Sequence, residues 1–309
     1  MNKKIISAIA VALFITPIAA VSAKAETHTP TLAILDTGLD TSVQYLSGKI
    51  AYEACVLGWD SCANGKSFME GPGAASIPSS MITKNGWDHG TLMTSVAVKH
   101  NSNLKIVFVR VIGNTPTGGR QIVTESALAK AFDWVYTNKD KFNIQAISFS
   151  QGRQDILGKT ADYCPKTLSM RASISKLISA GVPTFAATGN NRNYSKIDWP
   201  SCIQDTISVG ATTEQDEIAI YSNTDAKLMD FVARGVVDDI MGVGDVSSRI
   251  AGTSVSAQIA AAQWIYLKQL KPTLSTNDLY SLLLKTAVPV KGPSTVIGNL
   301  INLNGAING

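Results

Sequence analysis

A chain of 309 residues with 45% hydrophobic content has enough apolar surface for one large buried core or two ordinary ones. Its formal charge of +4 is small for that length, and no basic tract is present that would follow a phosphate backbone, so nucleic acid is excluded as an expected partner.

The amino terminus carries Lys3 and Lys4, an apolar run from Ile5 to Ala20, and the small-residue ending Ala23-Lys24-Ala25. That order is expected of a secretory signal peptide, residues 1–25, cleaved after Ala25. The run is shorter than the roughly 20 apolar residues of a spanning helix and is interrupted by Pro17. Cleavage removes three lysines and no acid, leaving +1, and no later window is apolar and long enough to cross a bilayer. The expected product is secreted, periplasmic or extracellular, with residues 26–309 forming one domain. Export leads to an oxidising compartment, where Cys55, Cys62, Cys164 and Cys202 are expected to form two disulfides. Three connectivities remain open. No C-x2-C pair with neighbouring histidines marks a zinc site.

Short runs rich in Val, Ile and Phe predict strands at Thr31 to Leu35, Ile106 to Val111, Ile144 to Phe149, Val182 to Ala187 and Thr206 to Gly210. Between them, Leu128, Ala131, Phe132 and Val135 fall at helical spacing, as do Ile174, Leu177 and Ile178 before Gly181. Further helices are predicted from Ser254 to Pro272 and from Leu279 to Lys285, the latter preceded by Ser275 and Asp278 at capping-box spacing. Strands alternating with helices predict an α/β fold with a largely parallel sheet flanked by helices on both faces.

In such sheets functional groups collect where strands end and helices begin. Asp36 follows the first predicted strand, His89 opens a helical stretch in Asp88-His89-Gly90-Thr91, and Ser254 opens another in Gly252-Thr253-Ser254. A serine hydroxyl is a poor nucleophile near neutral pH. It needs a base such as imidazole, and the imidazole needs a carboxylate to fix its tautomer. His28 and His100 are the other two histidines, the first beside the signal peptide and the second closing a polar stretch expected at the surface. Each of the three residues also has an ordinary structural reading: a turn aspartate, a helix-start histidine and a helix-capping serine.

The segments AILDTGLD (33–40), DHGT (88–91) and GTSVSA (252–257), in that order, resemble the subtilisin-like serine proteases. The likeness extends through FVRVIG, AISFSQG, FAATGNN, DWPSCIQDTISVGAT and GNLINLNGAI, nearly the whole chain after residue 25. The resemblance implies a serine endopeptidase in which Asp36 orients His89, His89 is the general base, Ser254 is the nucleophile, and Asn190 with the Ser254 N–H forms the oxyanion hole. It implies a peptide substrate lying extended along Ser150-Gln151-Gly152. Asp198, before Trp199-Pro200, would stand at the base of the pocket for the side chain preceding the cleaved bond, which favours lysine or arginine there. It also implies Cys55 paired with Cys62, and Cys164 with Cys202, since the last two segments flank one pocket in that fold.

Departures are Gln258 in place of a common proline, Leu92 in place of a second histidine, and Tyr45 in place of a calcium-ligating aspartate. No metal or other cofactor is therefore expected. Six residues between Ala25 and Leu32 leave no recognisable propeptide domain, which generally needs about 50 residues, so three alternatives stay open: the protein folds without such a chaperone, borrows a separate inhibitor or chaperone as a partner, or is restrained by some other means. Two alternatives stand beside a general protease: a secreted non-catalytic binding protein with this fold, and a narrow-specificity peptide-maturation protease.

Overall fold

Strand β1 (Thr31–Asp36) is buried along its whole length and lies between two parallel neighbours, β4 (Lys105–Arg110) and β5 (Ile144–Phe149). Its side chains alternate with the period of two that a pleated strand imposes. Leu32 and Ile34 enter one apolar core, while Ala33 and Leu35 enter another on the opposite face. A strand covered on both faces needs apolar residues at every position, which is why it reads as a continuous run. These observations come from a computed structural model, which describes residues 29–78, 81–82, 86–114, 123–152, 164, 168–292 and 297–309. The expected signal peptide lies outside the described residues.

The parallel order continues outward from β5 through β6 (Thr184–Ala187), β7 (Thr206–Thr212), β8 (Phe231–Arg234) and β12 (Ile297–Leu300). On the other side β4 is followed by β2 (Ile50–Val56). Antiparallel strands β3 (Phe68–Glu70) and β11 (Val288–Lys291) close the two edges of this ten-stranded sheet. Strands β9 (Val236–Met241) and β10 (Ser247–Ala251) form a separate antiparallel pair.

Helices α2 (Glu125–Asn138) and α3 (Leu168–Ser179) cover one face, packing Leu128, Phe132, Val135, Ile174 and Leu177 against Leu35, Val109 and Phe149. The Thr124 hydroxyl caps α2 by accepting from Ala127 N at 3.2 Å. The other face carries α1 (His89–His100), α4 (Thr253–Leu270), α5 (Thr276–Thr286) and α6 (Leu303–Asn308). Helix α4 is buried almost all round, with Val255, Ala257, Ala260, Ala261, Trp264 and Ile265 at 1% exposure or less. Its alanines allow close approach to the sheet and to α1, so its first turn is held as firmly as the core itself. Phe132 and Trp264 are buried to a degree at which truncation to alanine costs about 3–5 kcal/mol.

Cys55 is bonded to Cys62 and Cys164 to Cys202. The first bridge joins the end of β2 to the loop that follows it. The second ties residue 164 to the segment after Trp199-Pro200.

Candidate active site

Asp36 is the last residue of β1 and His89 the first of α1, and the two chain segments interlock. The Thr37 hydroxyl donates to Trp87 O at 3.2 Å and accepts from Gly90 N at 3.0 Å, while Asp40 N donates to the Thr91 hydroxyl at 3.0 Å. A side chain at position 90 would put its Cβ 2.4 Å from Gly38 O and 2.6 Å from the Phe108 ring, so only glycine permits this approach. The result is a bond of 2.8 Å between His89 Nδ1 and Asp36 Oδ1. A carboxylate oxygen can only accept, so Nδ1 carries the proton and Nε2 of the neutral ring keeps a lone pair.

Asp36 is fully buried. Its Oδ1 also accepts from Thr37 N at 2.7 Å and from the Gln151 side-chain amide at 3.1 Å, whereas Oδ2 has no hydrogen-bond partner among the described residues. Gln151 Nε2 lies 3.0 Å from His89 Nδ1 as well. Both of those nitrogens are donors, so Asp36 is the acceptor that Gln151 serves. The side chain of Gln151 is therefore turned inward, toward the Asp36–His89 pair.

Ser254 is the second residue of α4, half-buried, with its hydroxyl donating to Ser150 O at 3.0 Å. The Ser150 hydroxyl returns a bond to Ser254 O at 3.3 Å and accepts from Gln258 Nε2 at 3.2 Å. The end of β5 and the start of α4 are thus joined in both directions. Ser254 N is one of the first amides of a helix, a position where N–H groups lack intrahelical acceptors and the helix dipole favours negative charge.

Asn190 lies after β6, exposed, with Oδ1 accepting from Thr253 N at 2.9 Å and from the Thr253 hydroxyl at 3.0 Å. Two donors on one atom identify it as the oxygen and leave Nδ2 as the free donor face. Thr253 Oγ1 in turn accepts from Gly189 N at 3.1 Å.

Asp198 is 1% exposed, its backbone N–H donated to Thr188 O at 2.9 Å and its Oδ1 accepting from Asn223 Nδ2 at 3.3 Å. Its Oδ2 occupies the space that a Cβ would need at two glycines, 2.9 Å away at Gly152 and 2.1 Å away at Gly189. Gly189 also has φ +103°, a conformation that L side chains rarely adopt. The carboxylate is consequently clasped between the segment after β5 and the segment after β6. Asp36, His89, Ser254, Asn190, Ser150, Gln151, Gly152 and Asp198 all lie along the carboxyl ends of the parallel strands or the helix starts facing them. His100 is at the far end of α1, half-buried, with Nδ1 donating to Val96 O at 3.0 Å rather than standing on the surface. Burial pushes its ring below the usual imidazole value, with Lys99 and Arg234 acting in the same direction against the Val96 bond.

A model of the subtilase family matches residues 27–300. The chain belongs to the subtilase family. Subtilisin BL of Lederbergia lenta is 25% identical over 243 residues, covering 76% of this chain and 82% of that protein. An alkaline protease of Alkalihalobacillus alcalophilus is 24% identical over 243 residues, and this subtilase spans only 58% of its length. The minor extracellular protease Epr of Bacillus subtilis (strain 168) is 25% identical over 231 residues, with 32% of its length spanned. Among solved structures, a mutant of the protease domain of PatA superposes with a TM-score of 0.70 at 18% identity, covering 91% of this chain and 94% of that one. A lanthipeptide protease superposes with a TM-score of 0.67 at 17% identity, covering 91% and 88%. These two likenesses establish the fold of the subtilase, a mostly parallel sheet between two helical layers.

Three side chains at this site escape a reading of the sequence alone. Thr253 reads as a helix-capping residue, yet its hydroxyl bridges Gly189 and Asn190. Gln258 reads as a departure without chemistry, yet it is fully buried and bonded to Ser150. Asn223, in the polar stretch Ser222-Asn223-Thr224-Asp225, carries no signal beyond that of a loop residue.

Proposed function

We propose that this subtilase is a secreted serine endopeptidase that cleaves peptide bonds through Asp36, His89 and Ser254. The observation that carries the reading is the 2.8 Å bond from His89 Nδ1 to the buried Asp36 carboxylate, with Ser254 at the start of α4 across the same strand ends. Rotation about the Ser254 side chain exchanges Ser150 O for His89 Nε2 as the acceptor of its hydroxyl. Ser254 Oγ then attacks the substrate carbonyl carbon while its proton passes to Nε2, and Asp36 stabilises the imidazolium through Nδ1–H. The carbonyl oxygen gains the electron pair and is met by Asn190 Nδ2–H and Ser254 N–H. Collapse of this intermediate breaks the C–N bond, and the departing amine takes the proton from Nε2. Water repeats the sequence on the resulting ester and frees Ser254.

The substrate main chain lies along Ser150-Gln151-Gly152, adding to the end of β5. Asp198 forms the base of the pocket for the preceding side chain, and its burial between Gly152 and Gly189 supports a preference for lysine or arginine there. Export rests on residues 1–25 as signal peptide and is supported by the two disulfides and by a relative named as extracellular. The close packing of Asp198 against Gly152 and Gly189, together with structural neighbours named a lanthipeptide protease and a prenylagaramide maturation protease, favours a second reading, narrow-specificity peptide maturation. Cleavage of a mixed peptide library tests both. Cuts concentrated after basic residues, and absent with Ser254→Ala, are expected, and a few closely related cut sites select the maturation reading. Turnover that survives Ser254→Ala rules out the assigned nucleophile.

A further inference from the structure

The loop carrying Asn190 is gripped on both sides by one residue. Asn223 is fully buried, and its backbone N–H donates to Gly189 O at 2.8 Å. Its Oδ1 accepts from Asn191 N at 2.9 Å and from Asn193 N at 3.0 Å. Its Nδ2 donates to Asp198 Oδ1 at 3.3 Å. The residues immediately before and after Asn190 are therefore both tied to Asn223, and so is the carboxylate at the base of the pocket. A Cβ at Gly189 would lie 2.4 Å from Asn223 Nδ2, so the three groups are packed to contact.

We propose that Asn223 is a positioning residue that couples Asp198 to the oxyanion amide of Asn190, an inference that rests on the peptidase reading above. The chemistry selects asparagine. The Oδ1 atom takes two backbone donors at once while the adjacent Nδ2 supplies a donor to a carboxylate, a combination that aspartate and serine lack. The oxyanion donor must be held where charge develops, and a displacement of about 1 Å at a reacting centre costs on the order of 10²-fold in rate. Asn223 fixes that donor through Gly189, Asn191 and Asn193. A basic side chain entering the pocket meets Asp198, and the same carboxylate bears on Asn223, so occupancy of the pocket and alignment of Asn190 are linked.

The test is a double-mutant cycle of Asn223→Ala with Asn190→Leu, read as kcat and KM on two peptides that differ only in lysine or phenylalanine before the cleaved bond. It is run at a temperature where circular dichroism shows every variant folded. Asn223→Ala is expected to lower kcat about tenfold or more with KM within about threefold, and to add no further loss to Asn190→Leu, because the two act as one unit. Asn223→Asp keeps the acceptor for Asn191 and Asn193 but sets an oxygen against Asp198. It is expected to shift the lysine-to-phenylalanine ratio of kcat/KM beyond any change in kcat that the two peptides share, and it carries the test if Asn223→Ala does not fold. Losses that simply multiply in the double variant, an unchanged kcat in Asn223→Ala, or an unchanged ratio in Asn223→Asp overturn the coupling while leaving the triad in place. A wild-type protein that cleaves neither peptide and takes no fluorophosphonate label on Ser254 overturns the peptidase reading and this one together.

Discussion

Replacing Asn190 by leucine removes two things at once, and the structure separates them. The lost Nδ2–H is the proposed oxyanion donor, whose removal is expected to lower kcat by about 10²–10³, or roughly 2.7–4 kcal/mol of transition-state stabilisation. That magnitude was measured in subtilisin, a member of the same family, and is carried over to this chain. The lost Oδ1 is the acceptor for both Thr253 N and the Thr253 hydroxyl, on a residue with no exposed surface. Leaving buried donors unpaired costs about 1–3 kcal/mol of stability. At roughly 2–4 °C per kcal/mol for a domain somewhat smaller than this one, Tm falls by several degrees. Asn190→Asp distinguishes the terms, because a carboxylate oxygen still accepts from Thr253 but offers no donor and repels the developing oxyanion. Steady-state kinetics below both transitions should show kcat reduced at least as far in Asn190→Asp as in Asn190→Leu, with KM little changed in either. Thermal melts should show Asn190→Asp closer to wild type. If Asn190→Asp keeps kcat within about threefold of wild type, the oxyanion role is wrong, whatever the melts show.

Two further outcomes follow. Asp198→Gly is expected to reduce the lysine-to-phenylalanine ratio of kcat/KM by roughly 10- to 100-fold, the loss of one charge-assisted hydrogen bond; an unchanged ratio dissociates the carboxylate from the pocket. Ser275→Ala removes the hydroxyl half of the capping box on α5, which accepts from Asp278 N and donates to the Asp278 carboxylate, and leaves the Ser275 N–H bond to that carboxylate; in the wild type the hydroxyl and the N–H together hold the exposed Asp278 carboxyl below its ordinary value of 3.8. A lowered folded-state value means the contribution is present above pH 3.8 and is lost as pH falls from there through the lower folded value. Ser275→Ala should therefore lower Tm by about 2–4 °C at neutral pH, and by less in acid, where Asp278 is protonated in both proteins; a constant difference refutes the link.

The parts legible in the sequence are those where local pattern and burial agree. Strand β5 occupies the predicted Ile144–Phe149, and α4 begins within a residue of Ser254, because continuous apolar runs and an alanine-rich helix both signal a covered sheet. Strand β2 is unreadable by the same criteria, since Glu53 interrupts it. The structure resolves the conflict through Glu53 carboxylate bonds to Gly73 N and Ala75 N, both at 3.1 Å, from a segment distant in sequence. Strands β8, β11 and β12 are too short to carry a period, and the polar Asp238 and Asp239 conceal β9. At the site, the positions of Asp36, His89 and Ser254 follow from chain order. The inward turn of Gln151, the burial of Asp198 and the grip of Asn223 depend on contacts across 25 or more residues, which no local pattern encodes.

The central claim is that Ser254 is an activated nucleophile, and the most direct measurement is covalent labelling of the protein with a fluorophosphonate, read by intact mass and peptide mapping. One adduct, located on Ser254 and absent from both Ser254→Ala and His89→Ala, is the expected result. An unlabelled wild type, or an adduct that persists in Ser254→Ala, contradicts it.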